Sequence, residues 1–564
     1  MHLRNLPSLS AKLACAIFCA DFLTMLGMNV FRIPTHWLPV LFFSVLLGMV
    51  VWIFCSGLVA FGNPAGLSDT QRSFLAVIML SAGILFAGAR TPYLLEGHLH
   101  HLVGPVVYDD TWHFQEINSL VNSLRYPAHF SLVPHSYFSF YYAPWMLIAA
   151  LYLSFPVAGF TIKAAFAVGC AIYQILICLT LLNIAIARAR SQRQLYWATY
   201  LVGCWAGLES FFSLLYYLRH DAWWLVAWET PIHFPTFGGG MVWAVHHLSA
   251  ATALILCWFL WDGAKTRDWH VVALCSLLIS FAFYGSVFVF LGAIPLGIFV
   301  VCLTIRDRWR EVVAVACVSA VMIWPMLWLY LGKSSDVRFL FPFVASVHAL
   351  FPVLSLSHAP VQHIGGRFIS GIWPGFLLFL VFLCLNFLPY AFAVARYGRR
   401  LSLSSKIVVA IVTLFLISTY FIGFQEGDNY ASRGYLVPIL VLAWICAGLL
   451  PSIRSRKWIA ALLLVGAFGS IHEAVQTYKR AIYISRVSYG GTHDGEILAI
   501  NRDRRIRVVQ SSAFGPKADR VYDVEKFVLG GKSSLVTADR QLECPGPRGP
   551  WRWQQIPDDP AGKD

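Results

Sequence analysis

The sequence predicts an all-α polytopic membrane protein of about thirteen transmembrane helices, followed by a small, mixed α/β soluble C-terminal domain. Three observations predict it. Apolar residues make up 58% of the 564 and charged residues only 12%, about half the charge that a globular protein carries. Long uncharged runs recur from near the N-terminus to about Ile471, each close to the roughly 20 residues an apolar helix needs to cross about 30 Å of hydrocarbon. After about residue 473 the composition changes abruptly to mixed-sign charge. Residues 1–472 are therefore expected to form the transmembrane domain and 473–564 the soluble one. For the first part this excludes a soluble enzyme, a nucleic-acid binder and a disordered scaffold; the lipid bilayer is the partner that such a composition implies.

Taken in order, spans are expected near 13–31, 37–62, 73–90, 141–156, 160–187, 195–218, 241–262, 269–287, 288–305, 311–331, 372–395, 406–424, 434–451 and 457–472. The first is an anchor and not a cleaved signal, because its small-x-small site, Ala14-Cys15-Ala16, stands at the start of the apolar run. Of the 13 cysteines only Cys544 lies outside the apolar segments or their edges, so neither a disulfide framework nor a CxxC metal site is expected. Net charge is +14, from 42 Lys and Arg against 28 Asp and Glu. The excess gathers in short connectors at Arg188/Arg190/Arg193, Lys265/Arg267, Arg306/Arg308/Arg310, Arg396/Arg399/Arg400/Lys406 and Arg454/Arg456/Lys457, which the positive-inside rule assigns to the cytoplasm. Loops 91–140, 219–240, 332–371 and 425–433 then face outside. Under that assignment 141–156 and 160–187 cannot both cross fully, so one of them is short or re-entrant. The tail falls outside as well; its alternating run Ile506-Arg507-Val508-Val509 has the period of a strand, and the stretch from Pro545 is loosely ordered by composition. No Walker, GxGxxG or HExxH pattern is present, which argues against ATP-driven chemistry.

The informative external stretch is Tyr108-Asp109-Asp110-Thr111-Trp112-His113-Phe114-Gln115-Glu116, with Ile117, Leu120, Val121 and Leu124 following at helical spacing. It reads as a loop that enters an amphipathic helix lying on the membrane surface. One aspartate can serve as the N-cap, but capping uses one carboxylate only. Adjacent acids at a membrane boundary repel each other and are partly desolvated, the setting of a general base. Asp109 and Asp110 precede His113 by four and three residues and Glu116 follows it by three, so these groups share a helix face. Such a face suits a divalent metal such as Mn²⁺ or Mg²⁺ with His98, His100 and His101 in reach, although a cluster of this kind also serves as a solvated polar surface. No resident cofactor is expected.

On these residues the chain resembles the C-type (GT-C) glycosyltransferases, multi-spanning enzymes that use lipid-linked sugars. Their first large external loop carries an acidic motif at the start of a juxtamembrane helix and leads into the next span through a Tyr/Pro-rich segment. Asp109-Asp110 matches the former and Tyr141-Tyr142-Ala143-Pro144-Trp145 the latter. Two further stretches, Trp243-Ala244-Val245-His246-His247-Leu248 and Asp428-Asn429-Tyr430-Ala431-Ser432-Arg433 with Pro438, are similar to ones in related bacterial membrane proteins. The likeness covers most of 70–450 and departs from the commonest pattern in placing two extra spans before the acidic loop.

The resemblance implies a membrane glycosyltransferase that moves a sugar from a polyprenyl-phosphate donor to a glycan, lipid or protein acceptor by an inverting displacement, on the periplasmic face of a bacterial inner membrane. Asp109 or Asp110 would deprotonate the acceptor, and Arg433 would neutralise the departing phosphate through guanidinium hydrogen bonds. His113, Glu116, Tyr141, Tyr142, Glu229, His233, His246 and His247 are the expected substrate contacts, Glu229 and His233 forming with Gly238-Gly239-Gly240 a mobile lid beside the two later histidines. Asp336, Arg338, His358, His363 and Arg367 make 332–371 a second candidate contact region. The rivals are a flippase of lipid-linked saccharides, which calls for mid-span charges and matched halves, and an O-antigen polymerase or ligase. Charges here are expected to crowd the external loops. The absence of any Asn-x-Ser/Thr site fits a bacterial membrane.

Overall fold

The computed structural model describes residues 3–57, 64–94, 110–128, 143–155, 160–203, 237–264, 267–331, 337–339, 372–424 and 429–450, with residues 467 and 475 and three short segments of the tail. Helices dominate. They are α1 (Leu6–Val30), α2 (Leu38–Ser56), α3 (Asp69–Gly88), α4 (Asp110–Asn122), α5 (Met146–Ser154), α6 (Ile162–Arg188), α7 (Gln192–Gly203), α8 (Phe237–Trp243), α9 (Val245–Gly263), α10 (Trp269–Gly285), α11 (Val287–Leu331), α12 (Ile372–Asn386), α13 (Leu388–Tyr397), α14 (Leu403–Ser418), α15 (Asn429–Gly434) and α16 (Leu436–Leu449). Strand β1 (Val337–Phe339) pairs antiparallel with β2 (Ile422–Phe424). In the tail β3 (Leu498–Ile500), β4 (Arg505–Val508) and β5 (Val521–Asp523) form an antiparallel sheet in that order.

Among the described residues five helices are long and apolar enough to cross a bilayer, or seven if each of two sharply bent pairs counts as one span. The chain is a helical membrane protein. On α2 the side chains of Val40, Phe43, Leu47, Val51 and Phe54 are exposed, a continuous apolar stripe that only lipid satisfies at this size. By contrast α1 and α6 are mostly buried and form the centre of the bundle. Helix α1 packs on α2, α6 and α10, α3 runs along α6, and α9 packs on α10, which packs on α11. The α3–α6 crossing needs Gly83, since a Cβ there would come within 2.8 Å of Ile175 Cα.

Several expected spans are interrupted. The 241–262 span breaks at Ala244 (φ −142°, ψ 51°), so that α8 and α9 meet at 119°. The 372–395 span likewise bends by 84° at Phe387. The connector between 288–305 and 311–331 is reduced to a kink at Arg308 inside α11. A broken helix is tolerated at membrane depth when its freed carbonyls find donors, and here Gln174 Nε2 donates to Met241 O at 2.7 Å while Arg90 Nη2 donates to Val242 O. Helix α5, the 141–156 candidate, has nine residues and a length of about 14 Å, less than half a bilayer. The expectation that charge stays out of mid-span fails at Asp21. This residue is fully buried in α1, accepts the Leu147 N–H at 2.9 Å and is hydrogen-bonded by the Tyr173 hydroxyl. It thus caps the start of α5 from another helix, at an end where backbone N–H groups have no partner within the helix. Span 457–472 lies outside the described residues apart from residue 467.

Candidate functional site

Arg90 stands just beyond the end of α3, where an apolar helix delivers a cation to the interior. Its Nη2 donates to Asp110 Oδ1 at 2.8 Å, and the Tyr93 hydroxyl donates to Asp110 Oδ2 at 2.7 Å. Both carboxylate oxygens of Asp110 are thereby engaged at the first residue of α4. The pair is almost completely buried, with 1% and 0% of the side chains exposed, so each charge depends on the other. Burial disfavours the Arg90 cation, and the adjacent Asp110 carboxylate more than offsets that, leaving its pKa above the ordinary guanidinium value. The guanidinium also lies 4.9 Å from the centroid of the Phe166 ring at the start of α6.

One turn along α4, His113 Nδ1 lies 2.9 Å from Glu116 Oε2, and both side chains are buried. The three-residue spacing brings them together on one helix face. The imidazole packs against Trp145, 4.8 Å between centroids, against Phe166 at 5.8 Å and against His246 at 4.9 Å. Trp145 closes the triangle to His246 at 5.1 Å. His246 and His247 sit at the start of α9, which the break at Ala244 turns inward. Arg433, in the short helix α15, is near enough for its charge to act on both histidines. Its position is set by the backbone of Gly434 lying directly on Gly292 of α11, where a Cβ on Gly292 would collide with the Gly434 carbonyl.

The structure therefore brings together Asp110, His113, Glu116, His246, His247 and Arg433, which are distant in sequence. Asp109, Tyr141, Tyr142, Glu229 and His233 lie outside the described residues, as do His98, His100, His101, Asp336, His358, His363 and Arg367. Arg338 belongs to β1. Gly238-Gly239-Gly240 is part of helix α8 and not a loop lid. Among the described residues no group of three or more His, Cys, Asp or Glu is placed to hold a metal ion, and His113 and Glu116 bond to each other.

No protein-family model, curated protein or solved structure matches the chain.

Sequence reasoning passed over three residues of this site. Arg90 ends the expected 73–90 span and Tyr93 falls in the 91–140 loop, although an arginine at the end of an uncharged run is itself a signal. Trp145 was read as part of an aromatic approach to a helix. Within the site Arg90 Nε and Nη1, His113 Nε2 and Trp145 Nε1 are buried and make no hydrogen bond among the described residues. Buried polar atoms are nearly always paired, so this gathering of polar atoms around Phe166 suits a polar ligand. The bundle also separates charge along its length. Phe166, in the second turn of α6, and Arg188, its last residue, are about 33 Å apart at 1.5 Å per residue. At the far end Arg188 pairs with Asp262, and Arg308 donates to Trp261 O at 2.7 Å while stacking 4.0 Å from the Trp261 ring centroid.

Proposed function

We propose that the protein is a membrane glycosyltransferase of the C type, transferring a sugar from a polyprenyl-phosphate donor to an acceptor hydroxyl by one inverting displacement. The observation that carries this reading is the gathering of the acidic helix's Asp110, His113 and Glu116 with His246, His247 and Arg433 in one buried site at the end of the bundle opposite Arg188 and Arg308. The positive-inside rule puts the basic end in the cytoplasm of a bacterial inner membrane and the site on the outer face. The full chain then has about thirteen spans, with the tail beside the site.

In this mechanism Arg433 offers fixed positive charge to the phosphate as it departs, in a site where a low dielectric strengthens the interaction. A base in the first turns of α4 accepts the acceptor's proton. Asp110 holds the head of α4 through Arg90 and Tyr93, so its role is to set the geometry of that base. Incubating the purified protein in nanodiscs with polyprenyl-phosphate sugars and a panel of glycan and lipid acceptors tests the reading. Release of polyprenyl phosphate coupled to acceptor glycosylation is expected, and its absence across the panel would sink the proposal.

The broken spans at Ala244 and Phe387, with the mid-span Asp21, favour a second reading as a flippase of lipid-linked saccharides, since discontinuous helices line transporter sites. The same nanodisc assay discriminates, because a flippase moves the lipid without cleaving its sugar–phosphate bond.

A further inference from the structure

We infer that His113 is the proton acceptor of the transfer, its Nε2 taking the acceptor's hydroxyl proton while Glu116 fixes the ring through Nδ1. The inference rests on the transferase reading and adds to it a base other than an aspartate. It begins from what the carboxylates of α4 are doing. Asp110 has one oxygen bound by Arg90 and the other by Tyr93, so it is committed to holding the helix. Glu116 is committed to His113.

A carboxylate can only accept, so in the neutral imidazole the hydrogen resides on Nδ1 and the lone pair on Nε2. That Nε2 is buried and makes no hydrogen bond among the described residues. Leaving a buried acceptor unmet costs about 1–3 kcal/mol, and a site retains such an atom when a ligand's O–H completes it. Rings of Trp145, Phe166 and His246 press on the imidazole and hold its plane. When the proton arrives, Glu116 stabilises the imidazolium without taking the proton itself, as a carboxylate does for a catalytic histidine elsewhere. Among the described residues, the titratable or charged groups nearby beyond Glu116 and the matched Arg90–Asp110 pair are Tyr93; Cys170 and Lys163 on α6, the latter 5.8 Å from the Phe114 ring; His246 and His247 on α9; and Arg433 on α15.

The step balances. The acceptor O–H bond breaks and its hydrogen passes to His113 Nε2; the acceptor oxygen forms a bond to the anomeric carbon; the anomeric C–O bond breaks and its electron pair leaves on the polyprenyl phosphate. The imidazolium then returns its proton to water.

The test is the turnover of His113→Gln and Glu116→Gln against pH, in nanodiscs with polyprenyl-phosphate sugar. Gln keeps a polar side chain at 113 but cannot accept this proton, so kcat should fall by about 10²–10⁴-fold with little change in the KM for donor. A fall in activity toward acid pH is expected of the parent and should be missing from the residual activity of His113→Gln. In Glu116→Gln that limb should survive and move to lower pH, because an imidazolium deprived of its carboxylate loses its proton more readily. Parental kcat in His113→Gln, or an acid limb that persists there, would overturn the inference. Should His113→Gln not fold, an unmoved limb in Glu116→Gln overturns it instead. A sharp loss in Asp109→Asn with His113→Gln fully active would give the base back to the aspartate while leaving the transferase reading intact. No sugar transfer by the parent would remove both.

Discussion

At the scale of single residues the site is an arrangement of opposed commitments. Asp110 and Arg90 form a buried pair whose members cannot be separated cheaply: removing one partner of such a pair costs about 3–5 kcal/mol, because the other is left charged and dry. Arg90→Ala should therefore lower thermal stability strongly. Arg90→Lys should lower it less, since an ammonium keeps the charge but sits on a shorter side chain than the Nη2 that serves both Asp110 and the Val242 carbonyl. Thermal unfolding in detergent reads this directly, and equal stability in all three proteins would show that the pair is not holding α4. At Arg433 the expected order is the same and the readout is turnover. Arg433→Lys should be impaired and Arg433→Ala impaired further, with both inserted and folded; parental rates in both would take Arg433 out of the site. Much of this was legible in sequence. The i, i+3 spacing of His113 and Glu116 brings the two together on any helix, and an acid pair at the start of an amphipathic segment stands out. Arg90 was not legible as a partner, because nothing in the 20 positions that separate it from Asp110 says that the chain returns to it.

At the scale of elements, the apolar helices among the described residues fall within runs that hydropathy marks, while their interruptions are less readily read from it. Apolar runs through 241–262 and 372–395 are continuous in hydropathy; the break at Phe387 lies two residues before Pro389, which has no N–H to continue the α12 ladder, whereas the one at Ala244 is met by donors on other helices. The same holds for α5, whose start is capped by a carboxylate 126 positions away. Two substitutions probe these elements. Asp21→Asn keeps an oxygen for the Leu147 N–H and a partner for the Tyr173 hydroxyl, so it should be tolerated. Asp21→Leu removes both and should lower stability and loosen α5, seen as faster amide exchange across 146–154. Equal exchange in the two variants would refute the cap. Gly292→Val places side-chain atoms against the Gly434 carbonyl and must push α15 away from α11; turnover should fall as it does in Arg433→Ala.

At the scale of the whole molecule, Arg188 and Arg308 lie at one end of α6 and the polar site at the other. Reporter fusions after Arg125 and after Lys532 should give the same external signal, because both follow from cytoplasmic placement of the basic clusters. Opposite signals would put the site and the tail on different faces. The alternation at Ile506-Arg507-Val508 was readable as a strand, and β4 covers it; its pairing with β3 and β5 was not, since register depends on segments far apart in sequence.

Asp21 also has a meaning in time. The first helix emerges from the ribosome carrying a carboxyl group that costs about 2.5–3.5 kcal/mol at the centre of an isolated inserted helix. The groups that satisfy it, Leu147 and Tyr173, are synthesised more than a hundred residues later. Until then α1, apolar enough to cross in spite of Asp21, carries that cost alone. Biogenesis of this bundle is thus tied to a rendezvous between its first helix and its middle, so that a chain interrupted before Tyr173 should be cleared by quality control while one carrying Asp21→Leu should not.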